Sequence, residues 1–175
     1  GMTGSVNSLD VGGLKLPDGP PHGLGQFYIL MDPSTHHGDF ADRLARVADA
    51  ISAAARQVAE TTEIKAIASF TQSGTTAILA TRERPRVPII ALTPDVRTAR
   101  RLALSWGCYC VLTSEQGRFK GAVVGAARAA RAGGFANETD QIVVTAGVPF
   151  NVPGTTNILR VAPCDERLIY STDPE

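Results

Sequence analysis

Hydroxyl-bearing and glycine residues gather in Thr71-Gln72-Ser73-Gly74-Thr75-Thr76, immediately after the apolar run Ile64 to Phe70. A small, polar turn that opens a helix at the carboxyl end of a strand offers backbone N–H groups and a helix dipole to an anion. Val148-Pro149-Phe150-Asn151-Val152-Pro153-Gly154-Thr155-Thr156-Asn157 forms a second Gly/Pro/Thr turn. Two such turns could face one pocket, with Thr71 to Thr76, Pro153, Gly154 and Thr155 lining it. The same residues also suit a bland role. Ser and Thr cap helices, and Thr and Asn side chains hydrogen-bond their own turns.

Other candidate chemistry is thin. His22, His36 and His37 all precede residue 40 and read as solvated loop histidines rather than metal ligands. Cys108 and Cys110 would point to the same face of a strand, but metal pairs usually have two intervening residues. With Cys164 they read as buried, reduced thiols, which suits a reducing cytoplasm. No G-x-S-x-G, G-x-x-x-x-G-K-[ST] or G-x-G-x-x-G pattern is present. The acidic residues are scattered, so no catalytic residue, metal or cofactor is assigned. Arg82-Glu83-Arg84-Pro85 reads as a helix end, where cations are favoured and proline forbids continuation. Arg97, Arg100 and Arg101 read as a solvated helix face, whereas Arg128 and Arg131 are candidates to reach the pocket mouth.

The elements that must position these residues alternate. Asp42 to Glu60 repeats Leu44, Val47, Ile51, Ala54/Ala55 and Val58 at helical spacing. Strands are expected at Ile64–Phe70, Val87–Leu92, Cys108–Leu112, Gln141–Ala146 and Ile158–Val161. Helices are expected at Gly74–Arg82, Val96–Trp106 (stopped by Gly107) and Phe119–Ala132. Apolar strands alternating with helices predict a largely parallel sheet covered on both faces. About ten residues without a helix join the last two strands, too few for a parallel crossover, so the last strand is expected to run antiparallel. The expected fold is a three-layer α/β/α domain with a mixed five-stranded sheet over residues 40–163. It follows an irregular N-terminal arm at 1–39, with one possible strand at Gln26 to Met31 and Gly1 as a tag scar. A polar, loosely held tail at 164–175 follows it.

The 175 residues suit one domain. Seventeen basic and 17 acidic residues balance, so no partner is demanded among nucleic acids or anionic membranes. No apolar run approaches the roughly 20 residues that cross a bilayer, and no signal peptide is visible.

Four segments, in order, resemble the C-terminal domain of pyruvate kinases: TxSGxTA from Thr71, RERPxxPIIALTP from Arg82, TARRLALxWG from Thr98 and AGVPFxxPGTTNxLRV from Ala146. The resemblance covers roughly Phe40 to Val161. It implies the fold above and an effector-binding, subunit-pairing role. Thr71, Ser73, Gly74 and Thr76 match the loop that cradles an effector phosphate in that family, and Val148 to Asn157 matches the segment that closes over it. Gln72 and Thr75 stand where relatives activated by a sugar bisphosphate often carry basic side chains. Val148 and Gly133 stand where such relatives tend to show Trp or Arg. These departures point to weak binding of a monophosphate, a nucleotide or plain phosphate. The family's catalytic barrel is not in these 175 residues, so no activity is expected from the chain alone. The resemblance leaves three readings: a regulatory phosphate-ligand module, a subunit or fragment completing a barrel on another chain, and a dimerisation domain with a vestigial site. Met2 to Asp39 does not resemble a barrel's end, which favours a stand-alone product, and a homodimer is plausible in all three.

Overall fold

The central strands carry apolar residues on both faces, and the structure uses both. A computed structural model describes residues 37–114, 118–148, 150 and 156–172. The expected strand at Gln26 to Met31 lies outside them. Chain contacts separate residues 1–41 from residues 42–175.

In chain order the elements are α1 (His37–Thr61), β1 (Ile64–Phe70), α2 (Thr75–Arg82), β2 (Ile89–Thr93), α3 (Val96–Leu102), β3 (Cys108–Leu112), α4 (Phe119–Ala132), β4 (Gln141–Gly147), β5 (Thr156–Pro163) and α5 (Glu166–Thr172). The sheet order is β3-β2-β1-β4-β5. β1, β2, β3 and β4 pair in parallel, and β5 runs antiparallel to β4 from Gln141↔Pro163 to Gly147↔Thr156. The short β4–β5 connection therefore has the consequence expected of it.

Alternation along each strand splits the core. Ala66, Ala68, Phe70, Ile90, Leu92, Ile142 and Val144 face α4, whose Ala122, Val123, Ala126, Ala127 and Ala130 are buried. Ile67, Ile89 and Val143 face the other way, onto Ala55 and Ala59 of α1 and Ala80 of α2. α1 buries the stripe Ala48, Ser52, Ala55 and Ala59, and such small residues let a helix approach a sheet closely. The Ser52 hydroxyl is satisfied within the helix by donating to Ala48 O at 2.9 Å.

Three local expectations change. Helix α3 ends at Leu102, not Trp106. Leu104 N and Ser105 N donate to Arg101 O and Leu102 O, a tightened last turn. The chain then reverses through Gly107 at φ +64°, so that Gly107 O meets Ile89 N. Strand β2 begins at Ile89 because Pro88 has no N–H; its carbonyl accepts from Ile67 N. The segment after Pro163 is not loose over its described part. Cys164 and Ile169 are fully buried, and α5 carries Ile169 into the α4 side of the core.

Candidate functional site

β1 is the central strand, so the turn after it opens at the middle of the sheet's carboxyl edge. Thr71 N still pairs with Leu92 O at 3.0 Å. The chain then leaves the sheet, and Thr71 Oγ1 accepts from Gly74 N at 2.9 Å, closing a three-residue turn. Gly74 sits at φ +93°, ψ −9°, a left-handed conformation that favours glycine. It is the N-cap of α2 and supplies no capping side chain, so the helix's first turn begins without one. Ser73 Oγ and Thr75 Oγ1 lie 3.0 Å apart on the exposed rim. The Gln72 side chain is exposed. Thr76 is different. Its hydroxyl is buried and bonded to Thr156 Oγ1 at 2.7 Å, tying α2 to the start of β5. Another buried pair, Ser69 Oγ and Thr145 Oγ1 at 2.9 Å, joins β1 to β4 beneath the loop.

Helix α3 holds the turn from the side, and residue types alone gave no notice of it. Arg101 Nη2 donates to Ser73 O, and Thr98 Oγ1 lies 3.0 Å from Gln72 O and 2.8 Å from Asp95 Oδ2, donating to one at a time. Asp95 caps α3, accepting from Arg97 N at 3.1 Å and Thr98 N at 3.0 Å. The usable signal was periodicity. Thr98, Arg101 and Leu102 follow one another at helical spacing, and Leu102 is fully buried, so Arg101 borders the packed face. Arg101 is exposed, as expected of that helix face, and its guanidinium is also fastened to the turn.

The Asp95 carboxyl is held below its ordinary value, first by the Thr98 hydroxyl and then by the Thr98 and Arg97 N–H groups. A carboxyl depressed by folding stabilises the folded state above its unfolded value and loses that contribution as the pH falls through the folded one. Asp95→Ala should therefore lower the melting temperature at neutral pH, with the difference from wild type shrinking below about pH 4. Thermal melts of both proteins between pH 2.5 and 7 check this.

The second loop closes at its base through a side chain. Asn157 Oδ1 accepts from Val148 N at 2.9 Å and Asn157 Nδ2 donates to Val148 O at 2.6 Å. Phe150 meets Phe70 edge-on, with ring centroids 6.4 Å apart. Pro153, Gly154 and Thr155 lie outside the described residues.

Other candidates lie elsewhere. Arg128 makes a two-pronged contact with Glu166 at 2.8 and 2.7 Å, and Arg131 lies within 4 Å of Glu138 and Glu166. Both belong to the opposite sheet edge, where α4 grips α5, so neither reaches the pocket mouth. Arg84 lies over the Trp106 ring at 4.9 Å and Pro85 is fully buried, as a helix end requires. Cys164 is buried as expected, but Cys108 and Cys110 are only half-buried, because β3 is an outer strand. His22 and His36 fall outside the described residues. Among the described residues, no group of three or more His, Cys, Asp or Glu side chains could hold a metal. No described helix is long and apolar enough to cross a membrane.

Comparison with known proteins agrees with the fold. The family "Pyruvate kinase, alpha/beta domain" matches residues 49–162. A pyruvate kinase of Methylorubrum extorquens is 40% identical over 114 residues, which are 65% of this chain and 24% of that protein. One from Agrobacterium vitis is 45% identical over 112 residues, 64% of this chain and 24% of the relative. The chain thus spans about a quarter of the length of the curated relatives it matches. Among solved structures, Cryptosporidium parvum pyruvate kinase in complex with ADP aligns with TM-score 0.61 and 24% identity, over 71% of this chain and 27% of that one. At that identity the likeness is one of fold.

Proposed function

This chain belongs to the pyruvate kinase alpha/beta domain family, and on that premise we propose that it is a regulatory module binding a small phosphate-bearing ligand at the Thr71–Thr76 turn. One observation carries the reading. An uncapped helix start, two exposed hydroxyls and the Arg101 guanidinium meet on one short turn at the sheet's carboxyl edge. Backbone N–H groups and hydroxyls suit one phosphate. Only one arginine is fastened to this turn among the described contacts, and Asp95 stands at the start of the neighbouring helix. That balance favours a monophosphate or nucleotide over a bisphosphate, which usually wants further cations. The Thr76 hydroxyl serves the fold through Thr156 and is left out of the ligand set.

A homodimer accompanies this reading. Leu44, Val47, Ile51, Ala54 and Val58 form a second row along α1 that stays partly or wholly exposed, beside the buried small-residue stripe. The outer edge of β5 adds Val161, which is 41% exposed. Apolar rows of this kind are what a second chain covers.

The chain's span of about a quarter of its relatives favours a second reading, a subunit or fragment that works with a catalytic barrel. Calorimetric titration with AMP, ribose 5-phosphate, glucose 6-phosphate and fructose 1,6-bisphosphate tests the first reading. A phosphoenolpyruvate and ADP turnover assay, run on the chain alone and again with a pyruvate kinase catalytic barrel added, tests the second. The module reading expects saturable binding of a monophosphate, weakened about tenfold, or ~1.4 kcal/mol, in Ser73→Ala/Thr75→Ala, with no turnover. Turnover by the pure chain would sink it. Absence of binding would leave the site vestigial.

A further inference from the structure

Among the described strands β3 is an outer one that pairs with β2, and the two cysteines on it share an environment. Cys108 and Cys110 both pack against Ala77, Ala91 and Leu102, so their sulfurs lie on the same face of the strand, one repeat apart. Both are partly open to solvent. Tyr109 between them turns to the other face, where its ring meets Phe135 at 5.0 Å. Two partly exposed thiols on one strand face, above an apolar floor, make a defined environment for a ligand.

We propose that Cys108 and Cys110 form a two-coordinate site for a thiophilic d10 cation of the cuprous type. Two sulfurs on one strand face start from a spacing of about 6.6 Å along the backbone. A linear S–metal–S unit with bonds of about 2.3 Å spans roughly 4.6 Å, and inward rotation about the two Cα–Cβ bonds closes that difference. Thiolates select soft cations, whereas harder ones keep carboxylate, carbonyl and water ligands. The floor of Ala77, Ala91 and Leu102 offers no such ligands. With no third metal-binding side chain grouped here among the described residues, tetrahedral zinc lacks its ligand set, whereas a two-coordinate ion does not need one. Burial and then the neighbouring Cys110 push the Cys108 thiol up to about 12. A thiol gives up its proton as its metal–sulfur bond forms, so a monovalent cation held by two thiolates leaves the site with one net negative charge.

The test uses the full chain, reduced and kept without oxygen, titrated with cuprous ion against a bicinchoninate competitor. One ion per chain is expected. Cys108→Ser and Cys110→Ser should each weaken it at least about 100-fold, the upper end of what even an outer-shell change costs a metal site. Cys164→Ser, remote from the pair, should bind as wild type. A measurement on the unaltered protein guards against misfolded variants: the copper X-ray absorption spectrum of the one-to-one complex should show two sulfur neighbours. Half an ion per chain, bound ion without two sulfur neighbours, or undiminished affinity in either serine variant would each overturn the proposal.

Discussion

Ile169→Ala is expected to destabilise the domain by about 2–5 kcal/mol, the cost of deleting most of a large aliphatic side chain from a closed core. Ile169 is fully buried and joins the cluster built by Ala162, Cys164 and the α4 alanines. It belongs to a seven-residue helix, and a helix that short does not persist in water by propensity alone. α5 therefore stays in place through what it buries and through Glu166, whose carboxyl is held low chiefly by the Arg128 guanidinium. Undocking sets a ceiling on the loss. If α5 can leave the core without unfolding the sheet, Ile169→Ala costs no more than the docking free energy of that helix. Urea unfolding measures the loss, and amide exchange of residues 166–172 shows whether α5 opens separately. Leu168→Ala, at a side chain 50% exposed, is the control and should stay within about 0.5 kcal/mol. Equal effects at the two positions would mean that Ile169 is not packed in solution.

α5 also marks where the amino-acid sequence stops being legible. The strands could be read because each is a short apolar run between helices, and β5's direction followed from a connection too short for a parallel crossover. α5 has no such pattern. Glu166 to Thr172 contains one buried apolar residue, Ile169, beside Leu168 and Tyr170, both at least half exposed, so periodicity over seven residues carries no signal. The candidate site divides in the same way. Its turn was visible as Thr, Ser and Gly after an apolar run, because local chemistry decides a turn. Arg101 was not, because its role depends on how α3 lies against residues 26 to 28 positions earlier in the chain. Thr76 shows a related limit. A hydroxyl reads the same whether it faces solvent or Thr156, and only the sheet's closure against β5 settles which. Arg128 and Arg131 point the same lesson from the other edge, where their partner Glu166 lies on the unread helix.

Gly74→Ala should cost about 1–3 kcal/mol and loosen the candidate site, and two separable causes contribute. The first is torsional: a left-handed conformation costs an L-residue roughly 1–2 kcal/mol. The second is contact. A Cβ on Gly74 would lie 3.0 Å from Arg101 Nη2 and 3.4 Å from both Leu102 Cδ2 and Thr98 Cγ2. Leu102 is fully buried and Thr98 is held by the Asp95 cap, so neither yields readily. The Arg101 tip can yield, but only by leaving Ser73 O. Gly134→Ala isolates the torsional part, since Gly134 sits at φ +70° with nothing within 4 Å of the added carbon. The excess of the Gly74 variant over the Gly134 variant then measures how tightly α3 holds the turn. Combining Gly74→Ala with Arg101→Ala should recover at least about 0.5 kcal/mol relative to the sum of the single changes, as expected for residues in contact. Chemical denaturation of the four variants supplies each number. If Gly74→Ala and Gly134→Ala cost the same and the double change is additive, α3 does not brace the turn. The phosphate-ligand reading would then lose the one guanidinium that supports it.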